Sequence, residues 1–143
     1  ICGRSEGYGR QIKERFLRGL PSLAKLRTRV DAATRKGFLK GLDQRCHIIR
    51  QKHSALNTLI QGAGAIVMKK ALIILDKSIE DNNLDALPVA NVHDEFQYQV
   101  RESQAEKFGE LAVQSIVDAG NKLGLRCPLN GEYKIGNNWK ETH

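Results

Sequence analysis

Sulfur, proline and aromatic rings are all scarce in this sequence. Its three cysteines, Cys2, Cys46 and Cys127, are odd in number and far apart, with no C-x-x-C spacing. That excludes a disulfide framework and a closed zinc site, and it fits a reducing compartment. Three prolines and 13 glycines are too few for a low-complexity stretch, and no internal repeat is visible. No segment reads as apolar enough to span or anchor in a bilayer, so no membrane partner is expected. No signal peptide opens the chain. The only methionine is Met68 and the first residue is Ile1, so a fragment or a processed product is expected.

Acidic residues are missing where basic ones crowd. Residues 1–52 hold 14 Lys and Arg against 4 Asp and Glu, whereas residues 53–143 hold 9 against 12. A basic first third points to a polyanion, with nucleic acid favoured over membrane, although a solvated basic helix accounts for the charge equally well. The chain of 143 residues is 41% hydrophobic and 27% charged, enough for one domain with a core or for a large part of a bigger one.

Residues 1–9, with three glycines, read as a loop. In Gln11–Leu20, Ile12, Phe16 and Leu20 recur at four-residue intervals among cations, which predicts an amphipathic helix. Pro21 restarts it, Leu23, Leu26 and Val30 continue the stripe, and Gly37 ends it. Residues 38–50 predict a short hairpin turning at Leu42–Gln44, with Lys40, Arg45, Arg50 and Lys52 able to reach phosphates; solvation explains any single one as well. Residues 54–81 predict the longest helix, on the order of 40 Å. Gly62 and Gly64 are awkward inside it unless something packs close.

His53, Asn57 and Gln61, spaced by four, form a polar uncharged stripe. On a DNA hypothesis these donors suit the minor groove, whose acceptors lie at equivalent places in every base pair. Exposure to solvent alone is the competing explanation. Residues 103–123 predict a second amphipathic helix, with Ser103 and Glu106 as a capping box and Gly124 as terminator. Residues 126–135 predict a further strand.

Between the long helices lies Val89–Val100, VANVHDEFQYQV, which predicts a β-hairpin with His93, Asp94 and Glu95 at its bend. Ala90, Val92, Phe96, Tyr98 and Val100 occupy even positions, and polar residues occupy most odd ones. Asp94 falls in the apolar phase, where a carboxylate is costly unless a positive group such as a metal sits against it.

Three blocks in order, ALNTLIQGAGAIVMKKAL (residues 55–72), VHDE (92–95) and GEYKIGNNW (131–139), resemble the C-terminal portion of family A DNA polymerases. The likeness is greatest to the replicative polymerases of T-odd bacteriophages and extends to bacterial DNA polymerase I. The run GYGRQIKERFLRGLPSLAKLR is similar to the helix that follows the family's nucleotide-binding fingers helix. The resemblance implies that Asp94 is the aspartate of the third catalytic motif, a ligand to two Mg²⁺ ions in the palm, with Glu95 and His93 beside it. It places Asn57 and Gln61 on a helix that contacts the primer-template minor groove. His53 stands where arginine is usual in the bacterial branch.

The same resemblance implies that the partner aspartate and the dNTP-holding fingers helix precede Ile1, so this chain alone is expected to be inactive. Nucleotidyl transfer needs an activated primer hydroxyl and a neutralised pyrophosphate leaving group. A two-metal site about 3.5–4 Å across, held by hard carboxylate oxygens, supplies both, and one aspartate cannot hold it. Glu95 reads as an outer-shell or primer-terminus group, and His93 as peripheral or structural.

The expected fold is α+β: a small antiparallel sheet with the catalytic hairpin and the 126–135 strand, and the long helices on one face. Residues 1–52 would adjoin fingers and palm, and residues 53–143 would form a partial palm. The expected partners are primer-template DNA, dNTP and the missing N-terminal part, in the cytoplasm of a host cell if phage-encoded. The alternative is a non-catalytic basic module that binds duplex DNA. Metal-dependent hydrolysis by His93, Asp94 and Glu95, with Glu141 and His143, is the poorer third.

Overall fold

The structure, a computed structural model, describes residues 6–92 and 94–142. Its contacts gather into two units, Ile1–Gln61 and Gly62–His143. The class is α+β, as expected.

In the first unit, helix α1 (Glu6–Gly19) begins inside the stretch expected to be a loop. Arg10 pairs with Glu6 at 2.6 Å and Arg18 with Glu14 at 3.8 Å, both one turn apart, so two cations are matched locally and the first turn can be helical. Ile12, Phe16 and Leu20 form the predicted stripe, with Tyr8 one turn earlier, and all four are exposed. Pro21 opens α2 (Pro21–Ala33) at its first position, where a fixed φ and a missing N–H cost nothing. Gly37, at φ 77°, ends the 3₁₀ turn Thr34–Lys36 that follows.

Strands β1 (Phe38–Lys40) and β2 (Cys46–Ile48) then pair antiparallel, with Leu39 opposite His47. Their turn is closed by Gly41 N donating to Arg45 O and Gln44 N donating to Gly41 O, with Gln44 at φ 66°. Val30, Leu39 and Ala55 make the core of this unit, and Ala33, Ile49, Leu56 and Leu59 pack around them.

Helix α3 (Ala55–Asp81) has 27 residues, about 40 Å at 1.5 Å per residue. With the preceding turn it carries a window of mean hydropathy 1.6, so it is long and apolar enough to cross a membrane by length and composition. That corrects the expectation that no segment is. The polar stripe occupies only its first turns, and beyond Gln61 the window meets just Lys69 and Lys70 as charged residues. A core helix of a soluble protein passes the same test. Gly64 is also not as expected: a Cβ there would meet nothing within 4 Å. Asn83, at φ 48°, stops the helix, with Asn83 N donating to Glu80 O and Leu84 N donating to Ile79 O.

In the second unit, β3 (Ala86–Val92) and β4 (Glu95–Val100) form an antiparallel hairpin with Val92 opposite Glu95. A two-residue connection puts residues of opposite parity on one face: Ala90 lies with Gln97, and Asn91 with Phe96. A bulge between Pro88 and Ala90 restores the parity, so that Pro88 faces Tyr98 and Ala86 faces Val100. Asp94 therefore belongs to neither strand face. It sits in the turn and is exposed, which corrects the expected buried-phase carboxylate.

Helix α4 (Ala105–Lys122) is preceded by a 3₁₀ turn, Glu102–Gln104, which takes up Ser103. The expected capping box does not form, because Gln104 is the N-cap residue and no side chain caps the helix. The Gln104 amide oxygen instead accepts from Asp85 N at 2.8 Å. Gly124, at φ 64°, terminates α4, with Leu125 N donating to Gly120 O.

Residues 126–135 are not a strand. Pro128 offers no backbone donor, and the alternating residues Leu129, Gly131 and Tyr133 lie instead against Gly120, Ile116 and Gly109 of α4. The segment keeps a two-residue period but spends it on a helix, so the sheet stays two-stranded. Tyr133 OH donates to Glu106 Oε2 at 2.7 Å and ties it down. A short helix, α5 (Trp139–Thr142), follows. Ala71 and Leu75 of α3 and Ser115 and Ala119 of α4 are fully buried.

Candidate functional site

The β3–β4 turn opens onto a cleft of about 390 Å³. Asp94 and Glu95 stand on its wall with Phe96, Tyr98 and Val100 of β4, facing Met68 and Leu75 of α3, Phe108 and Ala112 of α4, and Tyr133 of the extended segment. Tyr98 and Phe108 hold the hairpin against α4, their ring centroids 4.8 Å apart and tilted by 47°. Burial pushes the Tyr98 hydroxyl above its usual range, and the nearby Asp76 carboxylate adds to the shift. An antiparallel ladder and the Tyr98–Phe108 ring pair fix β4 beside the cleft.

Asp94 is exposed and Glu95 half-buried. Gln97 Nε2 donates a hydrogen bond to Glu95 Oε1. His93 lies outside the described residues, as does His143. Among the described residues, no group of three or more His, Cys, Asp and Glu side chains is placed to hold a metal ion. Two adjacent carboxylates offer the hard oxygens a Mg²⁺ ion prefers, so the donor chemistry fits, but their number does not complete a site. Glu141 is otherwise engaged: its Oε2 accepts from Asn137 N at 2.7 Å and its Oε1 from Asn138 Nδ2 at 2.7 Å. The Asn137 N–H is the larger cause, and together these donors hold its carboxyl below the usual range.

The candidate nucleic-acid residues lie in the first unit. Asn57 and Gln61 are exposed, one turn apart on α3. His53 is exposed too, but it belongs to the 3₁₀ turn Lys52–Ser54 and so stands outside the regular α-helical stripe. Lys40, Arg50 and Lys52 are exposed and make no ion pair among the described residues. Arg45 differs, because its guanidinium is bound by Asp43 across the β1–β2 turn. Desolvation pulls the Asp43 carboxyl upward, but the hydrogen bonds and charge of Arg45 outweigh it and hold it below its usual value. Reasoning from sequence missed this pairing and the Gln97 contact. Both join residues two apart: Glu95 and Gln97 share one face of β4, whereas Asp43 and Arg45 meet within a turn.

Residues 12–141 match the model of DNA polymerase family A, and the chain belongs to that family. Over its whole length it is 36% identical to the DNA-directed DNA polymerase of Escherichia phage Phieco32 and 33% identical to that of Enterobacteria phage T3. It covers 24% and 23% of those proteins, so it spans about a quarter of the length of the curated relatives it matches. The solved POL domain of Pol1 from M. smegmatis, in complex with DNA primer-template and dNTP, superposes with a TM-score of 0.75 at 24% identity. That match takes in 82% of this chain and 23% of the other, and it establishes the likeness of fold.

Proposed function

We propose that this chain works as part of a DNA-directed DNA polymerase that performs template-directed nucleotidyl transfer in DNA replication. The observation that carries the reading is the placement of Asp94: an exposed carboxylate at the end of the β3–β4 ladder, lining a cleft, in a family A chain. Asp94 would serve as a ligand to Mg²⁺, with the second aspartate outside this chain. When bound, the metal pair lowers the barrier to attack by the primer hydroxyl and neutralises the leaving pyrophosphate. Glu95, which lines the same cleft, acts near the primer terminus and not as a primary ligand. His93 keeps a peripheral place.

Asn57 and Gln61 donate to minor-groove acceptors of the primer-template duplex, with His53 a weaker third. Arg50 and Lys52 neutralise backbone phosphates. Residues 1–52 adjoin the fingers, and residues 53–143 form part of the palm. For a phage-encoded enzyme the place of action is the host cytoplasm.

In the intact polymerase, Asp94→Ala should remove primer extension while primer-template binding persists; near-normal extension by that variant would sink the assignment. Lys40, Arg50 and Lys52, exposed and without an ion pair among the described residues, also favour a second reading, a basic module that binds duplex DNA without chemistry. Binding by the isolated chain that weakens steeply with salt supports it, and indifference to salt defeats it.

A further inference from the structure

Glu95 and Gln97 lie on the same face of β4, two residues apart, and both are half-buried. Their cross-strand neighbours are Val92 and Ala90, which carry no polar side-chain atom. Gln97 Nε2 donates to Glu95 Oε1, and both residues line the cleft beside Asp94. An amide donor at this place holds a carboxylate oxygen without neutralising its charge, whereas Lys or Arg would cancel the charge that Asp94 and Glu95 jointly present.

We propose that Gln97 is a positioning residue for Glu95, fixing the direction in which that carboxylate projects at the mouth of the cleft. The proposal rests on the polymerase reading of the site and adds a residue to it. Gln97 acts through Glu95, so removing its amide should slow the chemical step and leave the grip on primer-template unchanged.

The test uses the intact polymerase with Gln97→Leu, Glu95→Ala and the double variant. Single-turnover nucleotide incorporation is measured alongside primer-template affinity without divalent ion. Gln97→Leu is expected to slow incorporation about tenfold, the scale of a lost hydrogen bond to a charged group, with affinity held within about twofold. Added to Glu95→Ala, the same substitution should change nothing further. Gln97→Glu, which keeps the length but loses the donor, should be as slow as Gln97→Leu.

A crystal structure of the Gln97→Leu enzyme should show the Glu95 side chain turned from its present direction. Full-speed Gln97→Leu, a full-speed Glu95→Ala enzyme, additive losses in the double variant, or an unmoved Glu95 would each overturn the proposal. Gln97→Met replaces Gln97→Leu if the latter fails to unfold cooperatively. The polymerase reading has its own control: extension by Asp94→Ala defeats that reading, whereas inert Asp94→Ala with additive Gln97 and Glu95 losses defeats Gln97 alone.

Discussion

The β1–β2 and β3–β4 hairpins are both antiparallel pairs closed by a charged turn, yet they present opposite signs and hold their turns differently. The first has three-residue strands and a longer connection, with Gln44 at φ 66° and an internal Asp43–Arg45 pair. It leaves Lys40, Arg50 and Lys52 outward. The second has strands of seven and six residues, a two-residue turn and a bulge, and it leaves Asp94 outward. Phosphate grip tolerates a loose cation, because a long side chain and a screened charge act over a distance comparable to the Debye length. Chemistry at a carboxylate does not tolerate looseness, and the longer ladder braced by Tyr98 on Phe108 supplies the rigidity. On the proposed function, the difference in build matches a difference in task.

The comparison can be broken at several levels below the loss of extension expected for Asp94→Ala. The first hairpin has a tightly packed glycine at its turn, and in the second unit α4 has one against the extended segment. A Cβ at Gly41 would meet His47 Nε2 at 2.3 Å, and one at Gly109 would meet the Tyr133 ring at 2.3 Å. Gly41→Ala and Gly109→Ala should each destabilise by about 1–3 kcal/mol, seen in chemical unfolding. Hydrogen exchange should localise the first to residues 38–48 and the second to residues 125–136. Exchange of either substitution spread evenly over the chain would erase the distinction.

Charge gives the next test. Neutralising Lys40, Arg50 or Lys52 should each reduce the salt slope of duplex binding by about 1. Arg45→Gln should reduce it less, because Asp43 already engages that guanidinium. Gly64→Ala, whose added Cβ would meet nothing within 4 Å among the described residues, should stabilise the chain by about 0.5–1 kcal/mol in thermal unfolding. The same substitution slowing the intact enzyme would place another segment or the duplex against that turn of α3.

The smallest effect concerns the tail. The Glu141 carboxyl titrates below 4.5 in the fold because the Asn137 N–H and the Asn138 amide favour its charged form. Its contribution is therefore present above pH 4.5 and lost as pH falls through the lowered value. Fluorescence of Trp139, the single tryptophan, should report loosening of α5 in that window, and Glu141→Gln should abolish the transition.

Much of this was legible in the residues. Pro21, Gly37 and Gly124 mark helix boundaries because each has a steric or conformational reason to sit there, and four-residue apolar spacing located the first helix. What stayed hidden depended on pairing. The even-numbered apolar run of Val89–Val100 continues through the turn on paper, but a two-residue connection swaps parity between strands, so Asp94 had no face to be buried on. Residues 126–135 keep a strand's alternation, yet nothing local tells whether a strand or Gly109 and Gly120 of a helix will receive it. The Ser103 capping box failed because a 3₁₀ turn took up the residue. Asp94, Glu95, Asn57 and Gln61 are singled out by spacing and family resemblance; the structure puts the first two on a cleft wall and leaves the other two exposed on α3. The Gln97 contact needed coordinates.

The central claim is that the acidic turn performs chemistry while the first unit grips the duplex. Single-turnover incorporation and primer-template affinity, measured together on intact Asp94→Ala and Asn57→Ala/Gln61→Ala enzymes, test it most directly. The account predicts that Asp94→Ala loses incorporation by about 10³ or more with affinity retained, and that the amide variant loses affinity while bound primer is still extended. An Asp94→Ala enzyme that binds poorly but extends normally, or an amide variant with full affinity and no extension, would contradict it.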